Sequence, residues 1–101
     1  MKEKLIPVLP TNYRRLALAA IAVAAEPIVL MDRALVTDLS EDGPVTQSGI
    51  RSCRNFEIRD GSTPILGFHD HPNEMWVVER HRGLAEQCEA EGLLTVQGPA
   101  S

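Results

Sequence analysis

The sequence predicts a small α+β domain, and three observations carry that expectation. An alanine-rich apolar run, Leu16–Ala25, follows a helix-capping residue; alternating apolar residues flank an Asp60-Gly61 turn; and a stretch headed by Pro72 runs to Gly92 with apolar residues at helical spacing. The expected order is α-α-β-β-α-β, with a β-hairpin around Asp60-Gly61. At 101 residues the chain suits one domain over residues 1–101, with one modest core, and is too short for two.

Taken in order, residues 1–11 are punctuated by Pro7 and Pro10 and read as an extended arm. Thr11 or Asn12 can cap a helix through Ala25, because the side-chain oxygen accepts from free backbone amides. Glu26-Pro27 interrupts that helix, since proline disfavours helical geometry in the residue before it. Ile28, Met31, Leu35 and Leu39 recur at helical spacing with Val36 beside them, while Asp32, Arg33, Thr37 and Asp38 fill the other face. This pattern predicts a second, amphipathic helix ending near Ser40–Pro44. The four apolar residues Ile28–Met31 also fit a strand.

Residues 43–49 form a polar, glycine- and proline-containing loop. Period-two alternation follows, with Phe56 and Ile58 on the inward face of a strand. Glycine accepts positive φ without steric cost, so Asp60-Gly61 turns the chain into a returning strand over Pro64–His69. Pro72 and Glu74 suit the first turn of a third helix, the carboxylate lying at the positive end of its dipole. That helical region, with a break near Val78 as the alternative, runs on to Gly92, with Leu84, Ala85 and Cys88 marking the buried stripe, Gly92 the stop and Leu93–Val96 a last short strand. No internal repeat, heptad run or low-complexity tract is present.

Apolar content of 44% and charged content of 24% are those of a globular protein and exclude wholesale disorder. A net charge of −4 gives no general pull toward nucleic acid or an anionic membrane. Cys53 and Cys88 make neither a C-x-x-C pair nor a disulfide framework, which suits reduced thiols in a cytoplasmic protein. One segment speaks for export instead: Arg14-Arg15, an apolar run and Ala22-x-Ala24 have the outline of a secretory signal within residues 1–25. The long preceding segment, with Glu3, Pro7 and Pro10, favours a buried alanine-rich helix. The run is too short for a membrane span, which takes about 20 apolar residues.

The segment Gly67–Pro72 reads GFHDHP and holds two of the three histidines. If a strand continued through His71, its two-residue period would place His69 and His71 on one face. Two imidazoles so placed can bind zinc, with His81 or Cys88, and Glu74 or Glu79, completing the donor set. The segment resembles the strand-borne His-x-His-Pro element of the JAMM zinc isopeptidases, a resemblance that implies a zinc held by His69 and His71 and a hydrolytic activity. It covers only these residues. That family's later zinc-binding Asp is replaced here by Arg82, and no Asp or Ser occurs between Asp70 and Ser101. His69-x-His71 followed by Glu74 is also similar to the cupin metal motif, although there the Glu lies on a strand. The plainer reading is a strand-to-helix junction, capped by Asp70 and carrying polar histidines without any cofactor.

Met75 and Trp76 are the candidates for contact with a protein partner or a second copy, since tryptophan is enriched at interface hot spots. The passage from Leu84-Ala85 through Glu91-Gly92 to Val96 is similar to the helix-to-strand passage of winged-helix domains. Its glutamates, Glu86, Glu89 and Glu91, would repel phosphates. No glycine-rich phosphate loop or nucleophile elbow is present. The expected function is therefore non-catalytic: a protein-interaction module, with zinc chemistry and nucleic-acid binding as the alternatives.

Overall fold

A computed structural model describes residues 4–97, and its main feature is one antiparallel seven-stranded sheet. The strands are β1 (Leu5–Pro10), β2 (Pro27–Met31), β3 (Ala34–Val36), β4 (Asn55–Asp60), β5 (Thr63–His69), β6 (Met75–Val78) and β7 (Leu94–Val96). The helices are α1 (Tyr13–Val23), α2 (Gln47–Arg51) and α3 (Arg82–Ala90), the last entered through a 3-10 turn at Glu79–His81. Across the sheet the order is β3-β2-β4-β5-β6-β1-β7. The mixed α/β class agrees with the sequence reading, whereas the expected order α-α-β-β-α-β does not, because strands replace helices in two places.

The first replacement is at residues 28–36. Instead of an amphipathic helix, β2 and β3 form a hairpin in which Met31 pairs with Ala34. Its two central residues, Asp32 and Arg33, have φ of 51° and 70°, the left-handed pair that a tight primed turn requires. The turn is held from outside: Asp32 Oδ1 accepts from the amides of Arg54 and Asn55 at 2.7 and 3.0 Å, and its own amide donates to the Asn55 carbonyl. The second replacement follows Pro72. The Glu74 amide donates to the His71 carbonyl, closing a turn rather than opening a helix. Met75–Val78 then returns as β6, and the aromatic and β-branched residues there suit a pleated surface.

Other expectations are met locally. Asn12 caps α1 by accepting from the Arg15 amide at 3.0 Å, though the helix ends at Val23 rather than Ala25. The hairpin at Asp60-Gly61 joins β4 to β5, with Gly61 at φ 61°. Gly92, at φ 75°, ends α3 and leads to β7, which forms a sheet edge rather than a wing. The extended arm is an interior strand: β1 lies between β6 and β7, pairing Ile6 with Val77 and Val8 with both Met75 and Val96. Residues 1–3 of the expected arm lie outside the described residues. The loop expected over residues 43–49 instead runs into the five-residue α2, which Thr46 caps by accepting from the Gly49 amide.

The core occupies one side of the sheet. Ile6, Val8, Val29, Phe56, Ile58, Leu66, Phe68, Met75 and Val77 are buried and share a face by register. Against them α1 sets Tyr13, Leu16, Ala17 and Ala20, a stripe at i, i+3, i+4 and i+7, and α3 sets Ala85 and Cys88. The ring of Phe68 lies at the centre, 5.8 Å from that of Phe56 and 6.5 Å from that of Tyr13. All three helices among the described residues bury their apolar residues on this side, and the other face of the sheet receives none of them.

Candidate functional site

That other face is where the chemistry-bearing residues collect. Alternation along the strands puts Leu5, Pro7 and Leu9 of β1 there, with Trp76 of β6, Gly67 and His69 of β5, Asn55, Glu57 and Arg59 of β4, Leu30 of β2 and Leu35 of β3. An antiparallel sheet with one solvated face ordinarily shows polar residues on it. Here Leu5, Leu9 and Leu35 are 51%, 40% and 62% exposed, and Trp76 and Leu30 are half-buried. Val78, paired with Leu5, is the buried member of this row.

Gly67 opens the middle of the face. It sits between Glu57 and Trp76 in register, and a Cβ there would collide with the Phe56 carbonyl oxygen. With no side chain at this point, Trp76 leans toward the end of β5 and stacks on His69, ring centroids 5.9 Å and planes 28° apart. His69 is fixed from its other side by Asn55, with Nδ1 and Oδ1 3.2 Å apart. Beside this stack lies a hollow of about 270 Å³, walled by Leu30, Arg33, Asn55, Glu57, Arg59 and His69. A second depression on the far side of Trp76 is bounded by Leu5, Pro7, Glu74 and Gln97. Within the hollow Arg59 Nη2 donates to Glu57 Oε1 at 3.0 Å, which holds the guanidinium protonated beyond its ordinary tenacity.

The structure places the six sequence-derived candidates in different surroundings. His69 and Trp76 come together on the open face, whereas Met75 points into the core opposite Val8. The strand stops at His69: Asp70 takes φ 68° and donates its amide to the Arg54 carbonyl, so His71 turns away. His71 is exposed, its Nε2 3.9 Å from Glu74 Oε2. His81 follows β6 at the opposite end of the sheet, where its charge is felt by Asp60. That is the length of β5 from His69, about 20 Å at ~3.3 Å per residue. Cys88 is sealed beneath α3, and burial pushes its thiol up, as it does for Cys53. These side chains therefore do not form one donor set, and among the described residues no three His, Cys, Asp or Glu groups converge where a metal ion could sit. The residues that sequence reasoning missed are Arg33, Asn55, Glu57 and Arg59. The alternation of β4 was the available signal, since it put Asn55, Glu57 and Arg59 on one face.

Comparison of the chain with protein-family models, with curated proteins and with solved structures found no match. Among the described residues no helix is long and apolar enough to cross a membrane.

Proposed function

We propose that this chain is a non-catalytic protein-interaction module whose contact surface is the helix-free face of its sheet, with Trp76 as the anchor. One observation carries this reading: the buried residues of the helices join the core on one side, yet the opposite side leaves Leu5, Leu9 and Leu35 exposed and the chain's single tryptophan, Trp76, only half-covered. Leu5, Leu9 and Trp76 lie on the adjacent strands β1 and β6, apart from Leu35 at the β3 edge. Exposed apolar patches on a small protein mark places of association, and tryptophan contributes disproportionately where such surfaces are desolvated. The partner is another protein or a second copy. Both thiols are unpaired and buried, which supports a reducing, cytoplasmic setting, and α1 serves the fold by placing Leu16, Ala17 and Ala20 in the core.

The test pairs sedimentation equilibrium with quantitative capture of binding proteins, comparing the natural chain with Trp76→Ala. The variant should keep its far-ultraviolet spectrum and thermal midpoint within a few degrees, and lose self-association or its specific captured partner. A variant that folds, sediments and captures like the natural chain removes this function.

A further inference from the structure

We infer that the hollow beside the His69–Trp76 stack receives a carboxylate side chain from an acidic segment of the partner. The inference rests on the interaction reading above and names the partner's chemistry at that same face. Charge is the first argument. The walls bring Arg33, Arg59 and the His69 imidazole against a single carboxylate, Glu57, in a chain whose net charge is −4. A locally cationic hollow on an acidic protein selects an anionic group.

Size is the second argument. At about 270 Å³ the hollow falls below the ~300–1,000 Å³ of small-molecule sites, so it suits one side chain rather than a whole metabolite. The donors are the third. Arg59 Nε is enclosed and has no acceptor, a costly state that an entering carboxylate relieves once the guanidinium turns toward it. Asn55 Oδ1 is engaged by His69, which leaves the NH2 of that amide to donate. Arg33 occupies a left-handed turn position at φ 70°, and the backbone there brings a second guanidinium to the rim. Glu57 decides between anions: its own charge tolerates a monoanionic carboxylate better than a phosphate dianion.

The experiment is a titration of the ¹⁵N-labelled full chain with the peptide Ac-Val-Glu-Val-Glu-Val-NH2, in parallel with versions carrying Gln or phosphoserine at the Glu positions. The Glu peptide should shift the Arg59 Nε–H, the Asn55 side-chain amide and the His69 ring saturably, with the Gln version binding roughly tenfold or more weakly. Arg59→Met and Arg33→Met should each weaken the Glu peptide by roughly tenfold. Glu57→Gln should tighten it, a gain that misfolding cannot mimic. Equal binding of the Glu and Gln peptides, tighter binding of the phosphoserine peptide, or no shift at these three residues overturns the inference. Should Trp76→Ala abolish association while Arg59→Met leaves it and the peptides unchanged, the face stands and the hollow falls. Saturable Glu-selective binding with association intact in Trp76→Ala supports the hollow and removes the wider face.

Discussion

The imidazole of His69 lies stacked against the indole of Trp76 across the β5–β6 pair, ring centroids 5.9 Å apart. Trp76 is the chain's only tryptophan, so its fluorescence reports this one contact. Replacing His69 by Ala removes the ring that covers one side of the indole, so the emission maximum should move to longer wavelength and acrylamide should quench it more efficiently. Unchanged emission and quenching in His69→Ala would show that the rings do not meet.

Phe68 tests the core rather than the site. It is fully buried between Tyr13 and Phe56, and Phe68→Ala leaves a cavity where α1 meets the sheet. The expected loss is about 3–5 kcal/mol, most of the ~5–15 kcal/mol that holds a domain together. Urea denaturation measures it; a loss below about 1 kcal/mol would mean that the ring is not packed as described.

Gly67→Ala probes the close approach of β4 and β5. The added methyl meets the Phe56 carbonyl, which is backbone and cannot swing aside. Overpacking of this kind costs about 1–3 kcal/mol, against the small gain that alanine ordinarily brings by stiffening the unfolded chain. A neutral or stabilising Gly67→Ala, read from the urea midpoint, would show that the strands have room to spare.

How much of this was visible beforehand depends on where each element is specified. The α1 helix and the β4–β5 hairpin were legible because Asn12 ahead of an alanine-rich run, and Asp60-Gly61 between alternating residues, act locally. The β2–β3 hairpin was not. Asp32-Arg33 is no standard turn dipeptide, and Asp32 is held left-handed by amides of Arg54 and Asn55, far along the chain. β1 read correctly as extended, yet its partners β6 and β7 lie at the other end of the sequence. The same holds for the site. His69 and Trp76 stood out as residue types, but Arg33 joins Asn55, Glu57 and Arg59 only once the pairing register is known, because a one-residue slip would send each side chain to the other face.

The cysteines give a kinetic test of core closure. Cys53 and Cys88 are buried, and desolvation pushes both thiols up, away from the reactive thiolate. A disulfide-exchange reagent should modify them at the rate of opening rather than of chemistry, independent of reagent concentration once the reagent is in excess. Fast labelling that scales with reagent in the folded protein would place at least one thiol at the surface.

Asp60 predicts the acid side of the stability profile. Its carboxylate accepts from the Glu26 amide at 2.9 Å and from Ala25, tying the start of β2 to the β4–β5 turn, with the charges of His81 and Arg80 adding to the effect. These interactions hold its pKa below the ordinary value in the folded protein, so the unfolded chain takes up the proton first as pH falls. The contribution is complete above the unfolded value of about 3.9 and is lost as pH drops through the lower folded value. Asp60→Asn removes the charge and keeps the shape. Its thermal midpoint should lie below that of the natural chain at neutral pH, and the two should converge below about pH 4. A gap of constant size from neutral pH down through that range would show that the Asp60 charge contributes nothing to holding β2 against the turn.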